Sequence, residues 1–544
     1  MTTPVPSVAV IDNVDIKEKT AELDALKTIH NVNTEEKGDI KPVPNDQYDQ
    51  FEIDDAYAQK ARLVNDALQT IGMTGWQYKM WALCGFGWIV DNIAGYGLTV
   101  TYTPVANEFA IPNVTLTGIA YSLGAFAGAM FWGPMADIIG RRWAFNMTLF
   151  LVGIFMIGAG ASNSIYTYGV MFGIVGFASG GNVPVASVVY LEFVPASGHY
   201  LLTILSAWWS VGAVIDALFA WLFVGNFSCD MTISETCTRA HNMGWRYTLW
   251  TVGALVLVLA SIRFFFFRFP ESPYYLISRG QDAEAIEVIK LIAKKSNRPC
   301  NLTLEAFDEI NERYGQPATS TTAVLSKSEV FSSQFKQLSW RKLKPLFTKP
   351  KLALHTSLVI WIWLAIGLAY PLYSYFLPVY LAAKFTAIDQ AATLSSTYRQ
   401  YCYIAACTVP GPVIAGFVIE TRLGRRYTMA VGTICSGVFL YLSTLANTNI
   451  SVVAWNCVAT LVMNFMFAIQ YAYTPESFPP TIRATMNGLC AMVGYVCGIA
   501  APVISSQAGV NTNIPVYISG GFFLFTGLVM FALPFETSSS SGFH

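Results

Sequence analysis

The sequence predicts an all-α membrane protein in which twelve helices cross the bilayer as two bundles of six. Three observations predict this fold: the composition is too apolar for a water-soluble surface, twelve segments are long and apolar enough to span a bilayer, and two motifs recur at one spacing. Of the 544 residues, 54% are hydrophobic and 12% are charged. Soluble domains carry roughly twice that share of charge, about 25%, so much of this surface must face lipid.

A spanning helix needs about 20 predominantly apolar residues, and this length gives twelve segments, named here span 1 to span 12. They cover residues 79–102, 115–136, 143–162, 165–190, 201–223, 246–267, 353–378, 398–419, 427–446, 452–473, 485–505 and 514–534. The longest polar interruption follows span 6. The predicted parts are therefore a polar N-terminal tail (1–75), an N-terminal bundle (76–267), a central loop (268–350), a C-terminal bundle (351–537) and a short C-terminal tail (538–544).

Basic residues set the predicted orientation, because cytoplasmic loops carry an excess of Lys and Arg. With both termini inside, Arg141, Arg142, Arg425 and Arg426 lie on the cytoplasmic side, called here the inner side. The tail begins without an apolar core that would indicate a cleavable signal peptide. We expect a multi-pass protein of the plasma membrane.

The predicted outer loops carry two further features. Acceptor sequons begin at Asn113, Asn226 and Asn449, which predicts glycosylation there. Cys229 and Cys237 share one polar outer loop, and a disulfide between them is expected outside the cytosol.

An internal repeat relates the two halves. Gly140-Arg141-Arg142 recurs 284 residues later as Gly424-Arg425-Arg426, and Glu192 recurs at the same offset as Glu476. Two separated motifs with one offset indicate duplicated bundles, related as parallel repeats about a central axis.

The same motifs resemble the major facilitator superfamily, and within it the sugar porters. The segment from Gly133 to Arg142 resembles the loop between the second and third helices of that superfamily. The sugar-porter pattern after spans 4, 6 and 10 is matched by Glu192-x-x-Pro195, Pro270-Glu271-Ser272-Pro273 and Glu476-x-x-Pro479. Phe86-Gly87-Trp88 and Tyr473-Thr-Pro-Glu476 resemble fungal members near the synaptic-vesicle-glycoprotein and organic-ion branch. The resemblance implies the major facilitator fold and transport of a solute.

Acidic and basic groups at the inner ends of the spans predict a cytoplasmic gate, since carboxylate and guanidinium groups pair bidentately. We expect pairs across the two bundles to close the inner side and to separate when it opens. The alternative is that these charges only anchor the helix ends at the headgroups. The candidates are Asp137, Arg141, Arg142, Glu192, Glu271, Glu420, Arg425, Arg426, Glu476 and Arg483.

The chain departs from the sugar-porter pattern at four places. His199 and Tyr274 stand where sugar porters usually have Arg, and span 4 contains no Arg opposite the carboxyl group of span 1. In the second Gly-Arg-Arg motif, Glu420 is the nearest acid before the glycine. The missing Arg of span 4 argues against an ordinary sugar:proton mechanism.

Two carboxyl groups lie deep within the predicted spans, and an intramembrane acid is a functional candidate because a charge at mid-membrane costs about 3 kcal/mol. Asp91 in span 1 is the predicted proton-coupling residue; it could instead pair with a cationic substrate or be a structural, protonated group. Asp216 in span 5 could line the outer vestibule, bind a cation or have a structural role. Arg263 and Arg399 lie near span ends, and we expect both to reach the headgroups.

Aromatic and amide side chains suggest the solute site, because Tyr and Trp rings with a polar edge suit sugars, aromatic metabolites and organic cations. Span 7 is favoured, since a proline there lies among three tyrosines. The candidates are Trp88, Asp91, Asn92, Asp216, Tyr370, Tyr373, Tyr375, Gln470 and Asn487.

The sequence therefore predicts a secondary transporter for a small organic solute, working by alternating access with a proton as coupling ion and no other cofactor. We expect a monomer in the bilayer, with no nucleic-acid partner and no metal site. A non-transporting solute receptor and a proton-antiport exporter of organic cations or drugs are the alternatives. No nucleotide-binding loop or nucleophile–histidine pair indicates an enzyme.

Overall fold

The fold is known from a computed structural model, which describes residues 55–111, 114–229, 237–266, 270–314, 344–347, 349–388, 393–421, 423–478, 480–509 and 512–537. Within these residues every regular element is helical. In the part of the chain that the structure describes, nine helices are long and apolar enough to cross a membrane, and they correspond to spans 2, 3 and 5 to 11.

The helices of spans 1 to 6 follow the predicted segments closely. Span 1 is Gly75–Val100, continued by Tyr102–Phe109; span 2 is Thr117–Ile139; span 3 is Arg141–Gly160; span 4 is Ile165–Ser179 with Asn182–Leu191; span 5 is Tyr200–Leu205 with Ala207–Phe219, a π-helix at Ala220–Val224 and Gly225–Phe227; span 6 is Gly244–Ser261 with a π-helix at Ile262–Phe266.

Among the described residues, spans 7, 8 and 11 are each interrupted. Span 7 is Pro350–Ser374 with Leu377–Ile388; span 8 is Leu394–Ala406 with Pro410–Val418; span 9 is Gly424–Thr444; span 10 is Asn449–Glu476; span 11 is Pro480–Gly498 with Ala500–Ala508; span 12 is Ile514–Met530. The break in span 8 precedes Pro410, whose ring cannot occupy a helix interior without losing a backbone hydrogen bond.

Local sequence explains where several spans begin. Thr74, immediately before span 1, accepts a hydrogen bond from the backbone N–H of Trp76 and forms a capping box with Gln77. Gly140 and Gly424 begin spans 3 and 9 with φ of 98° and 68°, a conformation that favours glycine. The two repeated Gly-Arg-Arg motifs thus start two equivalent helices.

Small residues set the helix packing within the first six spans. Spans 2 and 4 cross so closely that a Cβ on Gly124, Gly128, Gly176 or Gly180 would overlap the backbone of the other span. Small residues permit this approach in membranes, where the lipid offers no hydrophobic driving force.

The two sets of six spans meet along two pairs of helices. Span 2 packs on span 11, and span 5 packs on span 8. The hydroxyl group of Tyr398 donates to the carbonyl oxygen of Val100 over 2.6 Å at the outer end, and Ile204 packs on Gly416 at the inner end. The described residues therefore close the interface at both ends.

A group of helices, called here the inner helical cap, lies next to span 1. It comprises Asp55–Ile71, Pro273–Ser278, Asp282–Ser296 and Leu304–Arg313. Lys60 of the first helix and Asp282 of the third form a buried ion pair of 2.6 Å, with side-chain exposures of 6% and 2%. The helix Asp55–Ile71 thus joins the N-terminal tail to the central loop.

Candidate functional site: a central acid in an aromatic cluster

The centre of the fold holds the carboxyl group of Asp91 among aromatic side chains, called here the aromatic cluster. Asp91 is half-buried, and its Oδ2 accepts a hydrogen bond of 3.2 Å from the indole N–H of Trp209 in span 5. Its Oδ1 is buried and accepts no hydrogen bond from the described residues. One lone-pair-bearing oxygen of the acid is thus left for a proton or a solute.

Both halves of the protein line this acid. Four tyrosines from spans 2, 7, 10 and 11 lie close enough to interact electrostatically with Asp91: Tyr121, Tyr375, Tyr471 and Tyr495. Trp88, one turn before Asp91, packs its buried ring edgewise on Tyr471, with 5.1 Å between centroids. A solute beside Asp91 would therefore touch both halves.

Span 7 supplies two of its three predicted tyrosines to the cluster. Tyr370 packs on Trp209 with 5.5 Å between ring centroids, and its hydroxyl group shares a 3.0 Å hydrogen bond with that of Tyr96. Tyr375 packs edgewise on Tyr96. Tyr373 instead donates to Asn456 of span 10 over 2.5 Å, so it is held within the C-terminal half.

The predicted amide residues are buried at separate places. Asn92 lies where span 1 crosses Gly212 of span 5. Gln470 is buried in span 10, and neither of its amide atoms bonds to a described group. Asn487 is buried in span 11. Among the described residues, Gln470 and the Oδ1 of Asn92 thus have unused hydrogen-bonding capacity.

Asp216 occupies a different environment from Asp91. Its side chain is 0% exposed, and neither oxygen has a hydrogen-bond partner among the described residues. It interacts electrostatically with Tyr96 of span 1 and Tyr401 of span 8. The two deep acids are connected through Trp209, Tyr370 and Tyr96.

The inner end of the first half carries an ion pair and a helix cap. Arg141 pairs with Glu192, which joins the start of span 3 to the end of span 4. Glu271 accepts the backbone N–H of Arg141 over 3.0 Å, and also that of Arg142. Burial raises the pKa of Glu271 although these backbone groups and Arg141 act against it.

The second half repeats this arrangement with an acid that sequence reasoning missed. Arg425 pairs with Glu476, and Glu536 accepts the backbone N–H groups of Arg425 over 2.7 Å and Arg426 over 3.1 Å. Glu420 is exposed and interacts electrostatically with Arg425. The sequence does indicate Glu536, since Pro-Phe-Glu536-Thr after span 12 resembles Phe-Pro-Glu271-Ser after span 6.

Each of the two described ion pairs of the predicted gate lies within its own half of the protein, although we expected pairs across the bundles. Each pair joins neighbouring spans at the ends of the repeated motifs. The side chains of Asp137 and Arg483 and the whole of Asn113 lie outside the described residues.

At the outer end, Cys229 and Cys237 form a disulfide with a Cα–Cα distance of 5.8 Å. Asn226 is exposed there, and Asn449 begins span 10.

A buried ion pair at the outer end of the first half had no signal in the sequence reasoning. Glu108 and Arg246 pair bidentately, with 2.7 Å for each contact and side-chain exposures of 8% and 0%. Burial acts to raise the pKa of Glu108, but hydrogen bonds from Arg246, Trp245 and Asn242 outweigh it, so the pKa lies below its ordinary value. This pair fixes the extension of span 1 to span 6.

The expectation that Arg263 reaches the headgroups is wrong. Its side chain is 4% exposed and lies over the ring of Phe145, and both terminal guanidinium nitrogens lack a hydrogen-bond partner among the described residues. The π-helix at Ile262–Phe266 changes which face of span 6 this residue occupies. Arg399 is exposed, as expected.

Comparison with known proteins identifies the family. The family described as "Sugar (and other) transporter" matches residues 68–542. This chain is a member of that sugar transporter family. The major facilitator-type transporter hxnZ of Emericella nidulans is 40% identical over 517 residues, covering 93% of each chain. The MFS siderochrome iron transporter 1 of Ceriporiopsis subvermispora is 42% identical over 497 residues, covering 91% of this chain and 94% of its own.

The fold comparison agrees with the family. The proton:xylose symporter XylE, bound to 6-bromo-6-deoxy-D-glucose, superposes with a TM-score of 0.62 at 14% identity, covering 85% of this chain and 96% of its own. The synaptic vesicle 2-related protein of Rattus norvegicus is a more distant relative, 25% identical with 87% of this chain and 81% of its own covered.

These findings confirm the predicted resemblance and the all-α major facilitator fold. This sugar transporter family member is a multi-pass membrane transporter of small-molecule solutes, and its relatives are transporters rather than enzymes.

Proposed function

We propose that this transporter couples solute movement to protons through Asp91. The observation that supports the proposal is the position of this acid, half-buried between the halves, with one oxygen held by Trp209 and the other without a partner among the described residues. An ionised carboxylate is costly in such a site, whereas a neutral one is not. Access from one side and then the other would let the acid take up and release a proton.

Alternating access supplies the transport cycle. The described residues close the interface between the halves at the ends of spans 5 and 8. Separating one end at a time exposes the aromatic cluster to one compartment only. The inner ion pairs lie within each half, so they keep each half intact while the halves move.

The cluster favours a neutral or cationic solute with a flat or ring-shaped face. Tyrosine and tryptophan rings stack on such faces, tyrosine hydroxyl groups hydrogen-bond to them, and a carboxylate beside aromatic rings attracts cations. We propose a small polar or aromatic organic solute, taken up by a monomer at the plasma membrane, with no cofactor besides the proton.

Counterflow in proteoliposomes tests the coupling. The probes are D-xylose, nicotinic acid and tetraethylammonium, each with and without an inward proton gradient. A gradient of about one pH unit can drive about tenfold accumulation per coupled proton. Asp91→Asn should abolish gradient-driven accumulation but retain exchange, and Asp66→Asn, an exposed acid of the inner helical cap, should behave as wild type.

Folded wild-type protein that moves a probe at the same rate with and without the gradient would exclude proton coupling. The acid within aromatic rings also supports a second function, proton-antiport export of organic cations. An outward tetraethylammonium flux driven by the inward proton gradient would favour export over uptake.

A further inference from the structure

Asp216 is an acid that the proposed coupling mechanism leaves without a role. Its side chain is 0% exposed, and neither carboxyl oxygen meets a hydrogen-bond donor among the described residues. An ionised carboxylate without water or a donor would be several kcal/mol unfavourable. In the closed arrangement the group is therefore the neutral carboxylic acid.

The neighbours of Asp216 place it between the halves. Its helix, Ala207–Phe219, packs on span 1 of its own half and on Leu394–Ala406 of span 8 in the other half. Tyr96 faces it from span 1 and Tyr401 from span 8. The hydroxyl group of Tyr401 is also buried without a described partner.

No cation balances this acid within the described structure. Among the described residues, no ion pair includes Asp216. Span 6 also packs on its helix, but the basic group at the start of span 6, Arg246, is held by Glu108. Arg399 of span 8 is exposed. A proton, rather than an ion pair, is thus the available means of neutralising Asp216.

The interface that buries Asp216 must open in a transport cycle. Tyr398 closes the outer end of span 8 against span 1, three residues before Tyr401. When spans 5 and 8 separate at this end, water reaches Asp216, and hydration lowers the free-energy cost of its ionised form. The proton must return before the interface can close.

We propose that Asp216 is a second proton-binding residue, distinct from Asp91, that is protonated whenever the outer ends of spans 5 and 8 are closed and releases its proton when they separate. This inference rests on alternating access in the proposed function, but not on Asp91 as the coupling residue. Because opening is accompanied by loss of this proton, a rise in pH favours the outward-open arrangement, and this pH dependence requires Asp216 but not Asp91.

Infrared spectroscopy and hydrogen–deuterium exchange test the inference on the full chain in lipid nanodiscs without a solute. In the infrared spectrum, Asp216→Asn should remove one protonated-carboxyl band that Asp66→Asn leaves in place. In exchange corrected for its intrinsic pH dependence, Leu394–Ala406 should become less protected as pH rises. Asp216→Asn should remove this response, and Asp91→Asn should retain it.

Tyr401→Phe gives a second test that does not need a folded Asp216 variant. The hydroxyl group of Tyr401 is buried without a described partner in the closed arrangement and becomes hydrated when spans 5 and 8 separate. Its removal therefore favours the closed, protonated arrangement, and the midpoint of the exchange response should move up by about 1 pH unit. The inference is overturned if Asp216→Asn keeps every protonated-carboxyl band, if the wild type shows no pH response in span 8, or if the response survives in Asp216→Asn. None of these outcomes bears on gradient-driven flux through Asp91, which the proteoliposome assay measures separately.

Discussion

The ion pair between Lys60 and Asp282 predicts how firmly the N-terminal helix Asp55–Ile71 is held in the inner helical cap. Lys60→Met removes the cation and leaves Asp282, 2% exposed, with a 3.5 Å hydrogen bond from Asn311, among the described residues, to the oxygen that Lys60 had held. Breaking one side of a buried pair costs about 3–5 kcal/mol. Each 1.4 kcal/mol changes an equilibrium about tenfold, so opening should rise roughly a hundredfold to several thousandfold.

Hydrogen–deuterium exchange of Asp55–Ile71 measures this opening directly. Arg62→Met is the matched control, because Arg62 is exposed on the same helix and its loss should change stability by less than about 0.5 kcal/mol. The double variant Lys60→Met with Asp282→Leu should recover much of the protection, since it leaves no buried charge. Equal exchange in Lys60→Met and Arg62→Met would refute the reasoning.

Three further predictions concern the other polar contacts. Glu108→Gln leaves Arg246 buried without a charged partner, so thermal unfolding should show a loss of about 3–5 kcal/mol. Because the pKa of Glu108 is lowered on folding, its contribution to stability is present above pH 4.5 and is lost as the pH falls through the lowered pKa. The decrease of stability at acid pH should therefore be smaller in the variant. Glu271→Gln and Glu536→Gln weaken helix caps, so each should lower the stability measured in the same assay by about 1 kcal/mol. The loss in the double variant should equal the sum of the two single losses to within about 0.5 kcal/mol. A clearly larger loss would mean that the two halves share one network. Trp209→Phe keeps an aromatic ring but removes the N–H donor to Asp91, so the pH midpoint of transport should move up by about 1 unit. An unchanged midpoint would show that this hydrogen bond does not act on the coupling group.

Hydropathy and the repeat were sufficient to predict most of the helices, because a bilayer imposes one length on every spanning segment. They could not predict the break before Pro410, since Pro371 and Pro475 lie inside continuous helices. They also could not predict the two π-helices, which depend on packing between spans. The Gly-Arg-Arg repeat correctly marked two equivalent helix starts, at Gly140 and Gly424.

The candidate site shows where sequence reasoning stops. The depth of Asp91 follows from its place in an apolar segment, but its contact with Trp209 requires spans 1 and 5 to cross at Gly212. Tyr373 could not be separated from Tyr370 and Tyr375, because hydrophobic periodicity does not say which face of span 7 meets the other half. Arg263 was misplaced because a π-helix shifts the register of span 6.

The glycine contacts between spans 2 and 4 determine which parts of the protein can change shape. With the backbone of each helix occupying the space that a methyl group would need at Gly124, Gly128, Gly176 and Gly180, neither span can turn or advance without the other. The two therefore travel as a single body. The displacement of a transport cycle must then be absorbed where the two halves meet, at contacts such as those of Ile204 with Gly416 and of Tyr398 with Val100.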